Sequence, residues 1–156
     1  MYKRLELHNH TNESDAVFTC KELTDFMVAD QVDAFALTDH NTISGHCKIK
    51  NYLKEHPQPI DFIPGMEYTT YYGHILCLNL TEYVPWENIN RHKPELLFRA
   101  ARKKGALVGV AHPYSFGWPF AQGCRFEMTI TDYSCCDFIE IFNNPEPLHE
   151  VNEKGV

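Results

Sequence analysis

The sequence predicts an α/β protein, with a mainly parallel sheet covered by helices. Three observations lead there. Short apolar runs alternate with stretches of helical periodicity, the pattern of βα units. The run at residues 33–38 is apolar almost without alternation, as a strand buried on both faces is. Imidazoles and carboxylates then fall at the ends of such runs, where α/β sheets and barrels bind their ligands.

The 156 residues suit one domain, 1–156, with a sizeable core. Hydrophobic content of 44% and charged content of 22% are ordinary for a globular chain. A net charge of −7 argues against an extended nucleic-acid surface or an acidic-membrane surface. It leaves room for a small phosphorylated substrate at a local cluster of cations. The six cysteines (Cys20, Cys47, Cys77, Cys124, Cys135 and Cys136) form no Cys-x-x-Cys pair. No run is long and apolar enough to span a bilayer, and Met1-Tyr2-Lys3-Arg4 leads directly into a strand pattern without a signal peptide. The expected setting is the reducing cytoplasm, with free thiols.

Residues 2–8 read as the first strand, with Leu5 and Leu7 on one face. Thr19 and Glu22 have capping-box spacing for a helix to about Asp30, with Leu23, Phe26, Met27 and Ala29 as its apolar stripe. Residues 33–38 form the second strand. A helix over 44–55 then stops before Pro57. Residues 60–67 form a third strand, kinked at Pro64-Gly65 and ending in Glu67. Residues 71–80 form a fourth, paired with the third through a short turn. Residues 84–92 are a loop. Pro94 suits the first turn of a helix to about Lys104, with Gly105 as its C-cap. Residues 106–111 form the fifth strand, followed by a loop over 114–123. Residues 126–133 are ambiguous and admit a short helix. Residues 137–142 form the sixth strand, and the tail from 145 begins another helix.

His8 and His10 are one residue apart. In a strand they would share a face, with backbones ~6.6 Å apart, close enough for both rings to reach one metal ion. Asp15 follows in a turn-prone segment and can fold back as an oxygen ligand. Asp39 and His40 follow strand two, Glu67 ends strand three, His112 follows strand five and Asn143 strand six. His74 lies early in strand four, which fits an antiparallel neighbour whose start lies beside the others' ends. The donor set is imidazole and carboxylate without thiolate, which suits zinc, manganese or iron and not a closed structural zinc site. The seven candidates His8, His10, Asp15, His40, Glu67, His74 and His112 exceed what one ion takes, so two or three divalent ions are expected.

His8-Asn9-His10 with Ser14-Asp15, Thr38-Asp39-His40, Gly65-Met66-Glu67, Gly73-His74-Ile75-Leu76, Ala111-His112-Pro113 and Ile139-Glu140-Ile141-Phe142-Asn143 resemble the successive motifs of the PHP (polymerase and histidinol phosphatase) superfamily. The resemblance implies a distorted β/α barrel and a metal-dependent phosphoesterase. It further implies that His8, His10 and Glu67 hold one ion. Glu67 would bridge to a second, shared with His74 and His112, while Asp15 and His40 hold a third. The attacking group would be a hydroxide held between ions, with no protein nucleophile. Asp39 is read as a supporting residue that orients a neighbouring imidazole.

The family's closing Asp-x-His motif is absent after Asn143, and a full β/α barrel typically takes ~250 residues. The expected barrel is therefore incomplete, lacking its last strand or strands and the terminal metal motif. An open barrel leaves an edge strand that invites pairing with a second copy. Arg125 is a candidate for binding substrate phosphate. His46, His56 and His92 read as surface residues, and Cys135-Cys136 as core packing. Two other functions stay open: a metal-dependent amidohydrolase and a truncated, non-catalytic metal-binding module.

Overall fold

The computed structural model describes residues 2–86, 89, 91–115 and 125–142. Among these, six strands form one curled sheet in sequence order: β1 (Leu5–Glu6), β2 (Ala34–Leu37), β3 (Asp61–Thr70), β4 (Gly73–Leu78), β5 (Leu107–Val110) and β6 (Phe138–Ile139). β1, β2 and β3 are mutually parallel, β4 is antiparallel to β3 and β5, and β5 and β6 are parallel. β4 therefore begins at the edge where the other strands end. The result is a half-barrel, in keeping with the incomplete barrel read from the sequence.

Helices α1 (Cys20–Ala29), α2 (Gly45–Glu55) and α3 (Glu95–Lys103) cover the outer face. α1 and α2 pack Leu23, Met27 and Ile49 on Phe35 and Leu37 of β2. α3 packs Leu97, Phe98 and Ala101 on Met66, Tyr68, Ile75 and Val108. The inner face carries a smaller cluster of Ala36, Leu76, Leu78 and Ala111, with Leu7, Ile63 and Phe138 against it.

The capping box of α1 is present: Glu22 N–H donates to the Thr19 hydroxyl, and Thr19 N–H donates to the Glu22 carboxylate at 2.9 Å. The buried stripe is Cys20, Leu23, Thr24 and Met27, so Phe26 is 53% exposed and stacks on Phe18 instead. Thr24 can take the buried place because its hydroxyl donates to Cys20 O within the helix.

Several boundaries differ from the sequence reading. The first strand is two residues long, because β1 pairs only Leu5 and Glu6 with β2. The third does not stop at Glu67 but continues to Thr70, since residues 65–70 pair with 73–78 in a hairpin. Pro64 is no barrier there: the ladder with β2 ends at Leu37↔Pro64, and its carbonyl accepts from Leu80 N–H. Tyr71 and Tyr72 form the turn rather than the start of β4. Residues 126–130 are irregular, and a 3₁₀ turn follows at Tyr133–Cys135. β6 has two residues where six were expected. Asn143, Trp118, Cys124, most of the 114–123 loop and the tail lie outside the described residues.

Candidate metal centre

β3 delivers Glu67 to the inner mouth of the half-barrel. Period-2 alternation puts Met66 and Tyr68 into the outer core and Glu67 on the inner face with Ile63. The approach to Glu67 is tight. A Cβ on Gly65 would lie 2.7 Å from Cys77 O and 2.9 Å from the Thr38 methyl, so only glycine lets β2 and β4 close around β3 here. On the hairpin's return, Gly73 has φ +131° and packs on Phe126 Cα; a Cβ would sit 2.8 Å from it. The next residue, His74, faces back toward Glu67.

His8 and His10 get there by a break in the strand, not by strand alternation. Asn9 Nδ2 donates to Glu6 O and to Ala36 O at 3.1 Å each, taking carbonyls a regular ladder would use. Leu7 then packs on the inner cluster, and the next residue, His8, also turns to the inner mouth. Consecutive residues share a side only because the alternation is broken. His40 is placed by Asn41, whose left-handed backbone (φ +54°) lets its side-chain amide pair with both backbone groups of Thr69 at 3.0 and 3.2 Å.

Five imidazoles converge on this one buried carboxylate. Glu67 Oε2 lies 3.1 Å from His8 Nε2, 3.2 Å from His10 Nε2 and 3.1 Å from His40 Nδ1. Oε1 lies 2.8 Å from His74 Nδ1 and 3.0 Å from His112 Nε2. Asp15, at the exposed rim, approaches His40 Nε2 at 3.5 Å. Three groups have the spacing of a metal site: His8, His10 and Glu67; His10, Asp15 and His40; and His40, Glu67 and His74.

The donors fit divalent ions. Two ligands each about 2.1 Å from one ion are about 3.0 Å apart at an octahedral angle and about 3.4 Å at a tetrahedral one. The contacts around Glu67, from 2.8 to 3.2 Å, overlap that range. Hydrogen bonds from the His74 and His112 rings account for the Oε1 contacts, whereas Glu67 Oε2, His10 Nδ1 and His74 Nε2 are buried without a partner of acceptable geometry. Three ring nitrogens crowd Oε2, yet none aligns with it. Buried polar atoms left unpartnered around one carboxylate are ones that bound cations would satisfy.

The electrostatics follow from the same crowding. Burial alone would raise the Glu67 pKa; the neighbouring imidazoles of His10, His112, His74 and His8 outweigh it and hold the carboxyl well below its usual range. Burial pulls His8 down, but Glu140 and Glu67 lift it to about 10. Burial also opposes the charge on His112, and Glu67 and Glu140 again win, raising it. His40 is lowered, chiefly by burial.

Other residues named from the sequence take varied places around this centre. Among the described residues, Asp39 has no hydrogen bond to an imidazole. Its buried carboxylate accepts from Thr11 N–H at 2.6 Å, Thr11 Oγ1 at 2.7 Å and Ser14 Oγ at 2.8 Å. It thus clamps the loop between His10 and Asp15, and orients ligands through the backbone. Arg125 is exposed, beside Phe126, which packs on Gly73 next to His74. His46 is buried and not a surface residue: Nε2 lies 2.8 Å from Gly65 O, tying α2 to β3 two residues before Glu67. Glu140 lies in the motif at the end of the sixth strand, and its role emerges only from the fold. One residue past β6, it bonds His8 Nδ1 at 2.8 Å and accepts the His112 N–H at 2.9 Å. Besides that motif, its sequence signal is its inward parity with Phe138.

The chain is 28% identical to an uncharacterized protein of Methanocaldococcus jannaschii over 151 residues, 90% of this chain and 81% of that one. It is 30% identical over 116 residues to the 5'-3' exoribonuclease Rnm of Escherichia coli, 67% of this chain but 40% of that enzyme. A candidate metal-dependent phosphoesterase structure from Bifidobacterium adolescentis shares the fold, with a TM-score of 0.68 at 14% identity over 97% of this chain and 81% of that one. Residues 6–112 match the PHP domain model, a span that carries all seven candidate ligands, and the chain belongs to the PHP domain family.

Proposed function

We propose that this protein is a metal-dependent phosphoesterase whose substrate is a small phosphorylated molecule, a nucleotide or the end of a short RNA. The observation that carries the reading is the convergence of five imidazoles on the buried Glu67 carboxylate at the strand ends. His8, His10 and Glu67 would hold one ion, Glu67, His74 and His112 a second, and His40 with Asp15 and His10 a third at the rim. Bound together, such ions lower the pKa of an attacking water and neutralise the charge that grows on a transferred phosphoryl group.

The chain's own residues prepare that site. Glu67 stays anionic because the surrounding imidazoles outweigh the cost of its burial. The same burial removes competing water and strengthens each charge–charge contact. Asp39 holds the Thr11–Ser14 turn, so that Asp15 reaches over the mouth toward His40. Arg125 stands on the rim segment against Gly73, and a guanidinium there matches phosphate oxygens bidentately. The nucleotide reading is supported by the exoribonuclease relatives, and the net charge of −7 favours a short substrate over a long polymer. The imidazole–carboxylate donor set supports zinc, manganese or iron.

The test is hydrolysis of p-nitrophenyl phosphate, its bis ester and a short 5′-phosphorylated RNA by protein reconstituted with manganese or zinc. Metal-dependent turnover of at least one of them is expected. Normal metal binding without turnover of any would overturn the phosphoesterase reading. Cleavage of amides alone would move the protein to the amidohydrolases.

A further inference from the structure

β1 and β6 are opposite edges of the sheet, yet a single carboxylate joins the segments that leave them. Glu140 Oε1 lies 2.8 Å from His8 Nδ1, and Oε2 accepts the His112 backbone N–H at 2.9 Å. Glu140 is itself anchored, since its N–H donates to Val110 O at 2.9 Å. Its side chain is 14% exposed, so the two bonds are largely shielded from water.

Each contact bears on a ligand. An ionised carboxylate only accepts, so the hydrogen of a neutral His8 ring must sit on Nδ1. That leaves the Nε2 lone pair on the far side of the ring, where it faces Glu67 Oε2 at 3.1 Å. Neutral imidazole coordinates through one nitrogen, and the bond at the other nitrogen chooses which. His112 has φ +25°, a conformation that a residue with a Cβ holds only when its surroundings impose it. The bond from its N–H to Glu140 is one such constraint. The rings of His8 and His112 lie stacked at 5.8 Å, one on each side of Glu67.

We propose that Glu140 is a positioning residue of the metal centre: one carboxylate sets the His8 tautomer and pins the His112 backbone, fixing two ligands from distant parts of the sheet relative to each other. The proposal rests on the metal-centre reading above. It concerns a residue outside the span that matches the family model, which ends at residue 112.

The experiment compares wild type with Glu140→Gln and Glu140→Ala in the full chain. Zinc affinity and stoichiometry are measured by chelator competition, and the His8 tautomer by ¹⁵N NMR of the zinc-loaded protein. Wild type is expected to show His8 with a protonated Nδ1 and a metal-bound Nε2. Glu140→Ala should weaken zinc binding roughly 10–100-fold and lose the single tautomer signature. Glu140→Gln is nearly isosteric and keeps one acceptor oxygen for two donors, so it should fold like wild type and bind with intermediate affinity. A fold-stabilising role alone would lower the melting temperature without moving the His8 signals. If wild type binds zinc and both variants match it in affinity and tautomer, the role of Glu140 is refuted and the metal centre stands. If wild type binds no zinc, both fall.

Discussion

A carboxylate ringed by imidazoles decides how the metal-free site titrates. His8, lifted to about 10, and the raised His112 bind protons more tightly folded than unfolded. Their contribution to stability is complete below the unfolded histidine pKa of about 6.5 and is lost as pH rises through the folded values. Glu67 works in the opposite sense. Its depressed pKa contributes stability above the unfolded value of about 4.3, which disappears as pH falls through the folded value. With chelator present, the melting temperature should therefore peak between about pH 4.5 and 6.5 and fall on both sides. A divalent ion replaces the proton on His8, so saturating zinc should remove the decline between pH 6.5 and 8. Thermal denaturation across pH, with and without zinc, checks both signs; a chelated protein that gains stability from pH 6 to 9 would contradict this account. Glu67→Gln removes the charge that organises all five rings. It should weaken metal binding by more than the roughly 10–100-fold cost of losing a supporting residue, as read by metal analysis after gel filtration.

At the level of elements, the fold separates supports that shape the site from those that merely build the scaffold. Thr19→Ala removes the cap of α1 and should cost about 1 kcal/mol while leaving metal binding unchanged. Asp39→Asn keeps the shape of a side chain that accepts three hydrogen bonds, but loses its charge and one acceptor. It should cost about 1.5–3 kcal/mol, because bonds to charged groups are the stronger class. It should also weaken the rim ion, held by His10, Asp15 and His40, more than the inner ones. Denaturation midpoints together with metal stoichiometry separate the two variants. The same division explains what the sequence made legible. Alternation and apolar runs placed the strands, and the ligand types at their ends follow from local position alone, so Glu67, His74 and His112 could be named. The extent of β1 and β6 could not be read, because two-residue pairing depends on which edge the neighbour offers. Asn9 reads as an ordinary turn residue until Glu6 O and Ala36 O come within its reach. His46 looked exposed because its buried partner, Gly65, lies on another element. The role of Glu140 is hidden for the same reason: its partners are 132 and 28 residues away.

Across the whole molecule, hydrophobic packing divides at β3. Phe62, near its start, joins the cluster under α1 and α2, whereas Met66 and Tyr68 join the one under α3. The ligands cross that division: His8, His10 and His40 come from the β1–β2 side, and His74 and His112 from the β4–β5 side. Ions held between them would tie the two halves at the mouth, adding to the links that Glu67 and Glu140 already make there. Metal should therefore stabilise the molecule globally and not just order a loop. For one site, ligand at 100-fold over its Kd adds about 2.7 kcal/mol if the unfolded chain binds none. In a chain of this size each kcal/mol moves Tm by roughly 2–4 °C, so roughly 5–11 °C per saturated site is expected. The transition should stay single, shift with metal concentration, and return to the apo position on addition of chelator. Calorimetry distinguishes the alternatives. Two transitions, with only one moved by metal, would mean that the halves unfold separately and that the centre belongs to one of them. In His112→Ala, which removes a ligand from the β5 side, the shift should shrink although the β1–β2 ligands remain.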